Sequence, residues 1–254
     1  MTTRKGTNRR SNIPADVLHQ LNAGTIETVT LAEILAINFA KLMSHVLPEA
    51  TDEAANRFKP SDGITKRMSL AGQMLLEKLG TSGYKHVVAH PSDTVRGWAA
   101  YMVAEMSNLS LKERLKRVRP LADDKHFGVR EWAWIALRPH VSKQVQEAIQ
   151  ELSSWVDASS ANLRRFAVES TRPRGVWCAH IAELKSDPEM ALPLLEPVKS
   201  DASRYVQDSV SNWLNDAAKT QPEWVANTCA RWRKESNTKE TARICARGVR
   251  SINV

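Results

Sequence analysis

The chain has 254 residues, enough for one large domain or two small ones with a substantial core. Its formal net charge of +8 favours a polyanionic partner, nucleic acid or an anionic surface, over a neutral or acidic one. No apolar run approaches the roughly 20 residues of a membrane span, and Cys178, Cys229 and Cys245 are isolated, which reads as a reducing, cytoplasmic setting without a metal or disulfide framework.

In chain order, the basic opening "MTTRKGTNRRSN" reads as part of a flexible arm over residues 1–23, followed by a single repeat domain over 24–254. Helical periodicity predicts helices near 29–46, 64–80, 83–90, 93–107, 111–120, 126–139, 143–156, 161–172, 175–185, 188–199, 203–218, 222–235 and 239–252. Sustained two-residue alternation and Asn-Gly hairpin turns are missing, so the fold class is all-α.

One pattern recurs through these helices. Val95-Arg96-Gly97-Trp98 is followed 34 residues on by Val129-Arg130-Glu131-Trp132, and again after 34 by Leu163-Arg164-Arg165-Phe166. After 43 more comes Val206-Gln207-Asp208-Ser209. Such a period with two helices per unit marks a HEAT-like α-solenoid of stacked antiparallel helix pairs. The apolar members are expected to pack repeat against repeat. Arg96, Arg130 and Arg164 would line up beside them, on a concave face where they could follow a phosphate backbone; the alternative is an ordinary solvated charged row.

No P-loop, GxGxxG, HExxH or GxSxG motif is present, and the histidines have no compact ligand spacing. No cofactor and no metal are expected. The helix "HFGVREWAWIALRPH" places Phe127, Glu131, Trp134 and Arg138 on one stripe. A carboxylate between aromatics beside a basic face is a candidate site, although an ion pair for Glu131 and core packing for Trp134 would explain the stripe equally simply. In "RRFAVESTRPRGVW", four arginines surround Glu169 and precede Trp177. In "SVSNWLNDAAKTQPEW", Trp213 belongs to the core stripe while Asn212, Asn215 and Asp216 form a polar cluster beside it.

Together, "LNAGTIETVTLAEILAINFAKLMSHVLP", "VREWAW", "RRFAVESTRPRGVW" and "VQDSVSNWLNDAAKTQPEW" resemble the HEAT-repeat DNA alkylation repair proteins of the AlkC/AlkD type, with the stronger likeness to the AlkC branch. The resemblance runs from residue 20 to 254, and "RRFAVESTRPR" and "NWLNDAAKTQP" are its most specific parts. It implies a monofunctional, cofactor-independent DNA glycosylase that removes cationic N-alkylated bases, chiefly 3-methyladenine and possibly 7-methylguanine, from double-stranded DNA, acting as a monomer in the bacterial cytosol. It also implies that Glu131 and Asp216 are the acidic catalytic residues and Arg165 the active-site arginine. On this reading Arg96, Arg130, Arg164, Arg172 and Arg174 hold phosphates, Glu169 orients an arginine, and Phe127, Trp134, Trp177 and Trp213 face the lesion, with packing on the next helix as the alternative for Trp177. Two further readings remain: a non-catalytic binder of branched or bent DNA, and a scaffold for an acidic protein.

Overall fold

A computed structural model of the chain describes residues 4–59 and 61–252. Among them there is helix and turn but no strand, as the periodicity predicts. The chain falls into two compact units, residues 1–109 with 124–136, and residues 110–123 with 137–254.

The first unit contains α1 (Ala15–Ala23), α2 (Leu31–Ala36), α3 (Phe39–Val46), α4 (Thr51–Arg57), α5 (Ile64–Leu79), α6 (Tyr84–Val88) and α7 (Asp93–Glu105). It also holds the first part of the helix described next. Within the segment read as an arm, Ala15–Ala23 is helical and Arg4 reaches Glu33 at 2.6 Å; Met1 to Thr3 lie outside the described residues. Gly24 closes α1 with φ of 71°, a left-handed turn that suits glycine. The helix expected over 29–46 is two helices. Ile37 and Asn38 are extended between them, and the Asn38 side chain caps α3 by accepting from the Lys41 N–H. Helices α5 and α7 meet at Gly72, where a Cβ would stand 2.6 Å from that of Tyr101.

The second unit contains α8 (Leu111–Ala122), the last part of α9 (Phe127–Lys143), α10 (Val145–Val156), α11 (Ala161–Ser170), α12 (Ala182–Ser186), α13 (Leu192–Leu195), α14 (Arg204–Ala218), α15 (Pro222–Glu235) and α16 (Lys239–Gly248). Ser110 and Glu113 form a reciprocal capping box at the start of α8. Helix α9 continues past Pro139, its expected stop, because Leu137 and Val141 on either side are both fully buried. The helices expected at 175–185 and 188–199 are cut short. Residues 172–181 are irregular, and Pro188, Pro193 and Pro197 break the following stretch into short 3-10 turns around α13.

The recurring aliphatics behave as predicted. Val95, Val129, Leu163 and Val206 are 0–5 % exposed and anchor successive helices in the core. Burial of each such side chain contributes about 1.5–3 kcal/mol.

Candidate active site

The arginine row is a structural ladder. Arg96 Nη1 donates to the carbonyl of His90, Arg130 Nη1 to that of Asp124, and Arg164 Nη1 to that of Ala158, at 2.7–3.0 Å. In each case the acceptor lies six residues back, and Gln207 repeats the contact with the Asp201 carbonyl at 2.8 Å. The carbonyls of the loop entering the helix are thereby satisfied. Two of the arginines also clasp an aspartate in the following loop. Arg96 holds Asp124 at 2.8 and 3.1 Å, and Arg164 holds Asp201 at 2.5 and 3.0 Å. Arg96 is only 6 % exposed and pairs with Glu27 as well. The phosphate-holding role expected of Arg96 and Arg164 is corrected: their donors tie loop to loop. A usable sequence signal existed, since an aspartate stands six residues before both Arg130 and Gln207.

Gly97 occupies the repeat position that is Glu131 in the next repeat. The Trp132 indole leaves no room there, as a Cβ on Gly97 would come within 2.7 Å of Trp132 Cδ1. Glu131 itself is half-buried on α9, and its Oε2 accepts a hydrogen bond from Trp134 Nε1 at 2.8 Å. Trp134 is 4 % exposed, so it orients the carboxylate from beneath and does not present a face to a ligand, contrary to expectation. Phe127 is half-exposed and stacks at 4.8 Å on His126.

In the second unit, the ends of α11 and α14 bring a different set together. Glu169, buried in the last turn of α11, accepts from Arg172 Nη1 at 2.6 Å and from the Ser209 hydroxyl. Arg165 lies 3.8 Å away and sits over the Tyr205 ring at 4.3 Å. Arg172 also binds the buried Asp216, through Nε at 2.8 Å and Nη2 at 2.7 Å. Lys219 approaches the other oxygen of Asp216 at 3.6 Å, and Arg174 donates to its backbone carbonyl at 3.2 Å.

Burial pushes the Glu169 carboxyl up, but the charges of Arg165 and Arg172, with the hydrogen bonds from Ser209 and Arg172, hold it below its ordinary value. Burial likewise lowers the Arg172 guanidinium, and Glu169 and Asp216 outweigh that and raise it. Arg172 is therefore a half-buried bridge between two buried carboxylates, which corrects its reading as a phosphate ligand.

Arg138, which was not expected to matter here, fixes the segment that follows. It is 1 % exposed and donates to the carbonyls of Ser170 (2.8 Å), Arg172 and Ala179 (3.3 Å), closing the C-terminal end of α11. The segment it pins carries Val176 and Trp177, 60 % and 45 % exposed, two of the few large apolar side chains in solvent. Trp177 has φ of 66°, a region that costs a non-glycine residue about 1–3 kcal/mol. Trp213 has no exposed surface and donates its indole N–H to the Thr171 carbonyl at 3.0 Å. It is a core residue, and its expected contact with a lesion is corrected.

Residues 129–247 match the model of the DNA alkylation repair enzyme family. The fold is similar to that of Pseudomonas fluorescens alkylpurine DNA glycosylase AlkC bound to DNA containing an abasic site analog. That likeness has a TM-score of 0.65 and 25% identity, over 85% of this chain and 61% of that one. It is also similar in fold to AlkD2 of Streptococcus mutans, with a TM-score of 0.62 and 22% identity over 82% of this chain and 99% of that one. The Bacillus subtilis (strain 168) protein YhaZ is 39% identical over 97 residues, 38% of this chain and 27% of its own length. The chain thus spans less than two thirds of YhaZ and of AlkC. Residues 129–247 thus resemble the DNA alkylation repair enzyme family, and the fold of the chain is similar to those of AlkC and AlkD2.

Proposed function

We propose that this protein is an alkylpurine DNA glycosylase, releasing cationic bases such as 3-methyladenine or 7-methylguanine from double-stranded DNA by hydrolysis of the N-glycosidic bond. The observation that carries this reading is the Glu131 carboxylate. It is half-buried, set at 2.8 Å by the Trp134 indole, and stands at the start of the family-matched segment. An N3- or N7-alkylated purine carries positive charge and leaves without further protonation, so the demand falls on the sugar, which becomes oxocarbenium-like. A fixed carboxylate answers that demand in two ways. It stabilises the developing cation, and it accepts the proton of the water that adds to the sugar carbon.

Asp216 and Arg165 enter the proposal as a second acidic residue and its neighbouring cation. Arg172 links them, pairing with Asp216 and with Glu169, which Arg165 also approaches. Trp177, held in solvent by the Arg138-pinned segment, takes the role of sheltering a cationic nucleotide through its ring face. In the first unit Phe127 is half-exposed beside Glu131 and takes an aromatic role of its own, whereas Trp134 and Trp213 serve beneath the surface. Arg174 enters the proposal as a phosphate contact, whereas Arg130 serves the Asp124 and Lys125 carbonyls.

The test is single-turnover release of 3-methyladenine from methylated duplex. Glu131→Gln removes the charge at nearly constant shape. It should lower the rate by about 10²-fold or more while circular dichroism and duplex affinity stay unchanged. Release at the wild-type rate by the folded variant removes Glu131 from the mechanism. Absence of release by the wild-type protein, with branched DNA bound tightly, would instead favour a non-catalytic binder.

A further inference from the structure

The first unit contains a cavity of about 690 Å³ that the glycosylase reading does not use. It is built by α1, the junction of α2 and α3, the end of α4, and α5. Its floor is apolar, with Leu18, Leu35, Ile37 and the edges of Phe39 and Phe58. Arg10, Lys59 and Arg67 stand around it, and among the described residues no acidic one lines it.

Arg67 is the unusual member. Its guanidinium lies over the Phe39 ring, 5.0 Å from the centroid, and its Nε is buried without a hydrogen-bond partner. Leaving a buried guanidinium N–H without a hydrogen bond is costly, so its retention calls for an acceptor. Burial, and then the nearby charge of Arg10, pushes the Arg67 guanidinium down from its ordinary value. An incoming anion relieves both effects. The acids nearest in sequence are committed elsewhere: Asp62 pairs with Lys66, and Glu53 with Arg57 and Lys78.

The structure assigns this cleft to an acidic peptide tail that ends in a large apolar residue, bound through its terminal carboxylate at Arg67 and its apolar side chain on the Phe39–Phe58 floor. Three cations ask for more than one negative charge, and apolar walls ask for a hydrophobic side chain beside them. A terminal apolar residue preceded by acidic ones supplies both within a few ångströms. The cleft is also open, since Arg10, Asn38, Ala55 and Lys59 are exposed at its edge. A small molecule there would remain partly in water, whereas small-molecule sites bury most of their ligand. A chain end lying across the rim uses the exposed cations as well as the floor.

The experiment is fluorescence anisotropy with the labelled pentapeptide Asp-Asp-Glu-Leu-Phe bearing a free C-terminus. Saturable binding by the full-length chain is expected. Amidating the C-terminus should weaken it at least 10-fold, as should Arg67→Gln. Arg10→Ala and Lys59→Ala, on the exposed rim and harmless to folding, should each weaken it several-fold and steepen no other property. Base release from methylated DNA should be unchanged in all three variants, so failure here is separable from failure of the glycosylase reading. Equal binding of the acid and amide forms, or binding unaffected by the rim variants, overturns the proposal. Competition by inorganic phosphate as strong as by the peptide would show a bare anion site and overturn it too.

Discussion

The two ends of α11 make an instructive pair. At its start, Arg164 binds Asp201 and two loop carbonyls. At its end, Glu169 and Arg172 bind each other, Ser209 and Asp216. Both are networks of buried charge. The first has a counterpart in the other unit, where Arg96 makes the same contacts with Asp124 and the carbonyls of His90 and Pro91. Among the described residues the second occurs once. A feature that returns in both units serves what each unit needs, which is tying its loops to its helices. A feature found once is free to serve a task the molecule performs once.

That distinction can be broken most decisively at Arg172. Arg172→Met strands Glu169 and Asp216 as buried carboxylates. Removing one partner of such a network costs about 3–5 kcal/mol, so a large drop in Tm is expected. A variant as stable as the parent would mean that these carboxylates are not held by Arg172. Arg164→Ala should cost less, about 2 kcal/mol, because Asp201 retains the Ser203 backbone N–H. Excision per folded molecule and the salt dependence of duplex binding should be unchanged. Loss of DNA affinity with no loss of stability would return Arg164 to the phosphate contacts.

The smallest effect concerns acid. Because the folded structure holds Glu169 below its ordinary value, its ionised form favours folding. That contribution is complete above the unfolded carboxylate value of about 4.3 and fades as pH falls through the lower folded value. Melting curves between neutral pH and pH 3 should therefore fall less steeply for Glu169→Gln than for the parent. Parallel curves would show that the pair with Arg172 adds no acid sensitivity.

The sequence made the aliphatic frame legible because apolar periodicity reports burial directly. Val95, Val129, Leu163 and Val206 are where that period puts them. Charge carries no such message. Arg96, Arg130 and Arg164 share a position, and the eye takes a shared position for a shared external partner. Their real partners are loop carbonyls six residues back, and for two of them an aspartate in the next loop, which residue type alone does not advertise. Glu131 stood out because its stripe is aromatic, and the Trp134 hydrogen bond explains why the spacing is three. The second cluster was only half visible. "RRFAVESTRPR" announces an ion network, but Ser209 and Asp216 join it from 40 residues or more along the chain.

Trp177 has a consequence in optical terms. Four tryptophans, Trp98, Trp132, Trp213 and Trp232, are sealed in the core, and Trp134 and Trp155 are nearly so. Trp177 alone among the eight has an indole that is 45 % open to solvent. Iodide in the buffer reaches that ring ahead of the others, and its contribution to the emission lies at the long-wavelength edge. The most readily quenched part of the emission thus reports on the segment pinned by Arg138, with half-buried Trp224 next, and a ligand that covers the Trp177 ring announces itself by a blue shift and by protection from the quencher.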